Sequence, residues 1–392
     1  MCAPDPPSAP LPSWHGVDGV LPEIAEIAGL PPRRAVMEHS PEQRHMRYVE
    51  DKRIDWQRVE EIAVLSERAR QWTNFGPVSQ ALERVLEHLL RLPPERAVIM
   101  CASATVGLHA LAGICAIKLG RTLRWAVCSY TFFSQRTGPF VDATLVDCDD
   151  HGLIDLDAVD ALPEAAWDGL VVTNLFAGLR SARTYADFCT VRGKALMIDS
   201  AAALFGPDRG WPGHPNEAIS FHHTKPWGVG EGGCIIVDRA DAELARSVIN
   251  FGIGGGRSVR SLAGNGKLSD VASAPILERL ERLPAWAPRY RAQRTRIEQL
   301  CELAQVPMLL EVPAEAISAS VPVLANVAIE RAEFAQHRFD VGKYYPPLDD
   351  AGEKARRIFS RIINIPAHPG MAAIETADLQ EALQHVARAG KD

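Results

Sequence analysis

Seven short apolar runs, at residues 97–101, 124–128, 144–147, 170–173, 195–199, 218–222 and 234–238, punctuate the middle of this chain, with helical stretches between them. Runs this short and this apolar need cover on both faces. Their alternation with helices predicts a doubly wound, mostly parallel α/β sheet. Ligands of such sheets sit at the carboxyl ends of the strands, so the residues just after each run carry the functional information. Ahead of the sheet, helical periodicity runs through Val59, Ile62, Leu65 and Ala69. After the turn Asn74-Phe75-Gly76-Pro77 it resumes through Leu82, Val85, Leu86, Leu89 and Leu90. Beyond about Arg279 the alternation weakens. A helix carrying Arg289, Arg291, Arg294 and Arg296 leads into apolar runs at 309–312 and 321–328 and a last helix near 379–387, the pattern of a smaller α+β unit. Three units are expected: an extended arm over 1–55, a large α/β domain over 56–278 and a small domain over 279–392.

Composition narrows the functional classes. Of 392 residues 47% are hydrophobic and 23% charged, the balance of a globular chain with a large core. Lys and Arg total 42 against 49 Asp and Glu, and a net charge of -7 gives no general attraction to phosphate backbones or anionic lipid. The start, Met1-Cys2-Ala3-Pro4-Asp5-Pro6-Pro7, lacks the basic and apolar stretches of a signal peptide, and no apolar run is long enough to span a membrane, so a cytoplasmic location is expected. Cys101, Cys115, Cys128, Cys148, Cys189 and Cys234 are scattered singly among apolar residues and read as small buried hydrophobes. The arginines of the long helix, with Glu278, Glu281 and Glu298 nearby, read as a solvated face.

The chemistry concentrates at strand ends. In Ser220-Phe221-His222-His223-Thr224-Lys225-Pro226-Trp227-Gly228-Val229-Gly230-Glu231-Gly232-Gly233, a lysine sits between two expected strands among apolar and small residues. A lysine so placed is either paired or reactive through a depressed pKa. Gly228-x-Gly230-x-x-Gly233 mimics a dinucleotide fingerprint, but it runs into a strand where that fingerprint must open a helix. Asp147-x-Asp149-x-x-Gly152 mimics a calcium loop, but the twelfth position is Ala158 where a bidentate glutamate is needed. Three other strand ends complement Lys225. Ser103-Ala104-Thr105 opens an apolar helix, a cradle for an anion. Asp199 closes the run 195–199, where a carboxylate needs a cation. Tyr130-Thr131-Phe132-Phe133 offers a flat aromatic face. An anion cradle, a buried carboxylate, an aromatic plate and a lysine together describe a site for pyridoxal 5'-phosphate.

On these residues the chain resembles the DegT/StrS-type sugar aminotransferases, pyridoxal-phosphate enzymes of fold type I. The resemblance runs from Thr73 onward. It is carried by Asn74-Phe75-Gly76-Pro77, Ser103-Ala104-Thr105 with Leu108-His109, Thr131-Phe132, Asp199 and the Ser220-Phe221-(three residues)-Lys225 stretch. Gly230-Glu231-Gly232-Gly233, Asn265-Gly266-Lys267-Leu268-Ser269-Asp270 and Ile365-Pro366-Ala367-His368-Pro369-Gly370-Met371 complete it. The resemblance implies a large sheet domain with a smaller C-terminal α+β domain. It implies that Lys225 holds the cofactor as a Schiff base and then shuttles the proton, and that Asp199 holds the pyridinium nitrogen. Ser103, Ala104, Thr105 and Ser220 would bind the phosphate, and Phe132 would stack on the ring. Asn265 would reach the phosphate of a neighbouring subunit, implying a homodimer with shared sites. Asp199 is preferred to Ser200 as the ring-nitrogen partner because a serine cannot keep that nitrogen protonated.

The implied reaction is ping-pong transamination from an amino acid, with L-glutamate the expected donor, to a keto sugar or similar polyhydroxylated ketone. Another reaction on the same scaffold, such as dehydration, and a non-catalytic regulator are the alternatives. Ala201-Ala202-Ala203 stands where the family has a Gln or His on the ring oxygen, leaving Asn174 as the candidate for that contact. Lys343-Tyr344-Tyr345-Pro346-Pro347 replaces a typical substrate-side segment, and Trp14, His15 and Arg33-Arg34 suit an arm that covers a site.

Overall fold

The computed structural model describes residues 20–32, 45–211 and 213–389, so Trp14, His15, Arg33 and Arg34 lie outside the described residues. Helix α1 (Val20–Ala28) comes first, then α2 (Trp56–Ala69) and α3 (Pro77–Leu89). The alternating part follows as β1 (Arg96–Cys101), α4 (Ala104–Leu119), β2 (Trp125–Cys128), β3 (Thr144–Val146), α5 (Leu156–Asp160), β4 (Gly169–Thr173), α6 (Ala182–Val191), β5 (Ala195–Asp199), β6 (Asn216–Ser220) and β7 (Gly233–Asp238). Short helices α7 (Ala242–Ile249) and α8 (Arg257–Arg260) lead to α9 (Asp270–Glu281) and the long α10 (Leu283–Ala304). The chain ends in β8 (Ser320–Leu324), α11 (Glu353–Arg361), β9 (Ile362–Pro366) and α12 (Thr376–Arg388).

All seven apolar runs form strands of one sheet, in the order β1-β7-β6-β5-β4-β2-β3. β5 pairs in parallel with β4 and β6, as β2 does with β3 and β4, and only β7 runs antiparallel to its neighbours. The strands are almost wholly buried, as runs covered on both faces must be. One core layer joins α1, α3 and α9 to one face of the sheet, with Ile24, Leu82, Met100, Ile219 and Leu277 among its members. Another packs α4 and α7 through Leu108, Leu111, Val127, Ile235 and Val248. A separate cluster joins α10 and α12 to a two-stranded antiparallel sheet, β8-β9. Among the described residues no helix is long and apolar enough to cross a membrane.

The structure differs from the sequence expectations in three places. The arm expected to be extended contains α1, whose Ile24, Ala25 and Ala28 are buried in the main core. Their spacing is helical, but the segment is one short amphipathic turn pair among prolines. Of the run 309–312, only the neighbouring Met308 makes a bridge, to Val323, and β8 pairs instead with β9, which periodicity did not reveal. The arginine helix is solvated only in part: Arg289 is exposed, but Arg294 and Arg296 are packed against turns. Arg294 is buried, with Nη1 donating to the carbonyls of Pro313 and Ala316 and Nη2 to that of Ala314, while Arg296 donates to Met371 and Ile374 carbonyls. A guanidinium fork can serve several turn carbonyls at once, which suits these two arginines to a packed position.

Capping ties the layers together. Asp270 accepts from the amides of Val78 and Ser79, closing the start of α3 across a separation of about 190 residues. Gly76 leaves room for it, since a Cβ there would lie 2.4 Å from Asp270 Oδ2. Two motif pieces distant in sequence, Asn74-Phe75-Gly76-Pro77 and Ser269-Asp270, thus form one helix cap. Asp147 accepts from the amides of Lys354 and Ala355 at the start of α11, and Asp149 from His151 and Leu153. Both carboxylates of the calcium-like run therefore hold backbone amides.

A buried ion pair fixes the loop that follows β5. Arg209 Nε and Nη2 donate to Glu217 at 2.6 and 2.7 Å, with side chains 2% and 1% exposed, and the same guanidinium holds the carbonyls of Leu204 and Ala203. Removing one partner strands a buried charge, so Glu217→Ala is expected to cost about 3–5 kcal/mol in chemical denaturation. A cost under 1 kcal/mol would mean the loop is held by other contacts.

Candidate active site

Four strand ends converge. β5 ends in Asp199, whose neighbours in register are Thr173 at the end of β4 and Ala218 on β6. Asp199 is 2% exposed. Its Oδ1 accepts from the Ala201 amide at 3.0 Å and its Oδ2 from Gln135 Nε2 at 3.0 Å. Burial pushes the Asp199 carboxyl up, and Gln135, the Ala201 amide and the Lys225 cation pull it back. Ser200 turns elsewhere: its Oγ lies 3.4 Å from Asn174 Nδ2. The carboxylate in the field of Lys225 is thus that of Asp199.

Lys225 sits on the turn between β6 and β7. Trp227, fully buried, locks that turn by donating its indole N–H to the Ser220 carbonyl at 2.7 Å. The amide of Lys225 donates to His222 O and that of Gly228 to Lys225 O. Gly228 is required here, because a Cβ would meet the His222 carbonyl oxygen at 2.2 Å. Burial lowers the Lys225 pKa and the Asp199 carboxylate raises it, leaving it below the ordinary lysine value. A lowered pKa raises the fraction of free amine available as base or nucleophile at a given pH.

The anion cradle lies at the start of α4. Ser103 is its N-cap and accepts from the Val106 amide, so the Ser103 side chain holds its own helix. The amides of Ala104 and Thr105, in the first turn, have no intrahelical acceptor and point out of the helix end. The approach of β7 is close enough that a Cβ on Gly233 would lie 2.4 Å from the Ser103 carbonyl carbon and 2.5 Å from Ala104 N. Ser220, at the end of β6, accepts from the His222 amide. Phe132, after β2, is 53% exposed, with its ring edge-on to Tyr345 at 6.0 Å between centroids. Asn174 donates its amide N–H to the Asp199 carbonyl, and its Oδ1 is buried without a partner. Asn265 is exposed and bridges Asn250, its Oδ1 accepting from Lys267 Nζ at 2.5 Å, and the carbonyl of the next residue, Gly266, takes the Ala102 amide at the foot of the cradle.

Several residues that sequence reasoning missed belong here. Gln135 lies in the 3-10 turn Phe133–Arg136 directly after Phe132, and Thr131 and Thr173 join it in a hydrogen-bonded chain. A buried amide after a strand end was the available signal. Lys52 is the other. Its Nζ donates to the carbonyls of His223, Lys225 at 2.6 Å and Gly228 at 3.0 Å, encircling the Lys225 turn from the segment expected to be an extended arm. That segment also reaches the smaller sheet through the Met46–Phe339 bridge, with Arg47 O next to His368 Nε2 at 2.9 Å. Arg279, paired with Glu50, holds the Pro226 carbonyl from the far side. No spacing rule reports contacts this distant in sequence.

The residues present fit pyridoxal phosphate. A partly bare aromatic ring, unpaired helix amides and an orphaned buried amide oxygen on Asn174 surround the Asp199–Lys225 pair, and each matches a need of that group. The fold and this arrangement are those of a pyridoxal-phosphate-dependent aminotransferase of fold type I. The chain matches the DegT/DnrJ/EryC1/StrS aminotransferase family over residues 54–384 and belongs to it. Protein Rv3402c of Mycobacterium tuberculosis (strain ATCC 25618 / H37Rv) is 28% identical over 355 residues, 81% of this chain and 84% of its own. Among solved structures, DesI in the presence of its TDP-sugar product superposes with a TM-score of 0.68 at 22% identity, covering 87% of this chain and 92% of that one. Helicobacter pylori PseC, an aminotransferase involved in the biosynthesis of pseudoaminic acid, gives 0.67 at 17%, covering 87% and 98%.

Two substitutions test this construction. Gly233→Ala presses a methyl group against the backbone of Ser103 and Ala104, which cannot swing aside. It is expected to weaken cofactor binding by at least about 10-fold in equilibrium titration, the equivalent of about 1.4 kcal/mol, and unchanged affinity would detach the cradle from the cofactor. For Lys52, burial and then Arg279 bring the amine down to about 7 from 10.5. Between those values the unfolded chain binds a proton that the folded chain does not, so stability rises with pH across that window. Lys52→Met should flatten the rise in unfolding free energy between about pH 7 and 9 relative to the unmutated protein. Parallel curves would show that Lys52 titrates as an ordinary lysine.

Proposed function

We propose that this aminotransferase moves an amino group from an amino acid, with L-glutamate as donor, to the keto group of a sugar or similar polyhydroxylated ketone. The reaction runs in two half-reactions at one site, the deaminated donor leaving before the acceptor enters. The observation that carries this reading is the pairing of a buried Asp199 with a lowered-pKa Lys225 at neighbouring strand ends. The sugar acceptor is supported by DesI, described with its TDP-sugar product, and by PseC, described in the biosynthesis of pseudoaminic acid.

In this reading Asp199 accepts from the ring nitrogen of pyridoxal phosphate and Phe132 covers the ring. The Ser103 turn with the amides of Ala104 and Thr105, together with Ser220, holds the phosphate, and Asn174 faces the ring oxygen. Bound there, the cofactor supplies an electron sink for the pair left when a proton leaves the amino-bearing carbon. Lys225 Nζ takes that proton and returns it at the end of each half-reaction, a role favoured by burial, which lowers its pKa. Asn265, exposed, reaches the phosphate of a second copy, so the working unit is a homodimer, with the cytoplasm as its location. The proposed division of the chain is an arm over 1–55, a cofactor domain over 56–278 and a small domain over 279–392.

The visible absorption spectrum of the cofactor-loaded protein, recorded before and after L-glutamate, tests the reading. The expected result is a band that L-glutamate bleaches and that Lys225→Ala removes or displaces. A band unmoved by L-glutamate would overturn the donor assignment, and no band after loading with pyridoxal phosphate would overturn the site itself.

A further inference from the structure

We propose that Gln135 is a positioning residue that keeps the Asp199 carboxylate charged and aimed, with Thr173 as its anchor. The proposal rests on the reading of Asp199 as partner of the cofactor's ring nitrogen, and adds a residue on which that partnership depends.

Gln135 is 0% exposed. Its Nε2 lies 3.0 Å from Asp199 Oδ2 and 2.7 Å from Thr173 Oγ1. The orientation of the amide is fixed by chemistry: an ionised carboxylate only accepts, so the atom facing it must be the NH2 group, and both its hydrogens are then in use. Thr173 Oγ1 accepts from Gln135 and shares one hydroxyl hydrogen with Thr131 Oγ1 at 2.7 Å. The chain Thr131–Thr173–Gln135–Asp199 crosses the ends of β2, β4 and β5 and sets the angle at which Oδ2 is presented. Gln135 Oε1, at the other end of the amide, is buried with no partner. A residue serving packing alone would shed that unpaired acceptor, as methionine of the same length does. Its retention, beside two used donors, points to the donors as the reason for the glutamine.

The consequence lies in where one proton sits. Asp199 and a ring nitrogen share a proton in either of two arrangements, carboxylate with protonated nitrogen or carboxyl with bare nitrogen. A donor on Oδ2 stabilises the carboxylate and so favours the first, the arrangement in which the ring accepts electrons. The Ala201 amide does the same for Oδ1. Without Gln135, Oδ2 loses its amide donor while Ser134, the Ala201 amide and the Lys225 charge remain, and the proton shifts toward the carboxyl group. Ala201-Ala202-Ala203 presents no side-chain donor that could replace it.

The test is nitrogen-15 NMR of the full-length protein loaded with pyridoxal phosphate labelled at its ring nitrogen, on the unmutated chain, Gln135→Met, Thr173→Val and Asp199→Asn. The unmutated protein is expected to give a protonated-nitrogen shift and Asp199→Asn a bare-nitrogen shift. Gln135→Met should move toward the bare value, and Thr173→Val in the same direction by less. The half-reaction with L-glutamate should slow about 10-fold in Gln135→Met, as expected for loss of one hydrogen bond to a charged group, and Gln135→His, which restores a donor, should recover part of it. If Asp199→Asn moves the shift and Gln135→Met does not, this proposal fails while the role of Asp199 stands. If Asp199→Asn also leaves it in place, the role of Asp199 fails first. Thr173→Val decides the matter should Gln135→Met not fold, an unmoved shift counting against the proposal.

Discussion

A carboxylate buried at the end of a central strand is costly unless donors meet it, and much of this site follows from meeting that need at Asp199. The strand that carries it lies between β4 and β6, so no solvent reaches it from the side. One oxygen takes the Ala201 amide and the other the Gln135 amide, and Lys225 lies within electrostatic reach. The loop leaving β5 must then turn tightly to present Ala201, and the Arg209–Glu217 pair holds it there by gripping two of its carbonyls. The pair adds rigidity more than net stability, since burying two charges returns little beyond what their separation would cost.

Lys225 poses the opposite problem. Its amine must be free to react while its backbone stays still. The turn meets this through main-chain capture: Trp227 on one carbonyl, Arg279 on another, Lys52 on three. Gly228 and Gly233 are what permit it, because each lies where a β-carbon would strike backbone. Of the glycines that imitate a dinucleotide fingerprint, Gly228 and Gly233 are thus glycines of close approach, while Gly230 takes a positive φ of 66° with open space around it.

The sheet was legible in the sequence because its strands are buried on both faces, and continuous apolar runs leave little choice. Asp199, Lys225 and the Ser103-Ala104-Thr105 helix start were legible because their types are unexpected at apolar strand ends. What escaped was whatever depended on contact across the chain. Gln135 sits in a short turn with no period, Lys52 in a segment with no pattern, and β9 was not recognised as the partner of β8. Arg294 and Arg296 of α10 were misread because a guanidinium that binds carbonyls leaves the same trace in sequence as one in water.

The segment around Lys52 has a kinetic meaning. Its bonds to the Lys225 turn close loops of more than 170 residues, and the Arg47–His368 contact closes one of 321. Loops that long form after local structure, since their closure entropy is met only once the partners already exist. The Lys225 turn thus reaches its final shape when the two ends of the chain have met. A ligand that recognises the finished turn binds only the finished fold, and by mass action draws late, incompletely closed forms toward it.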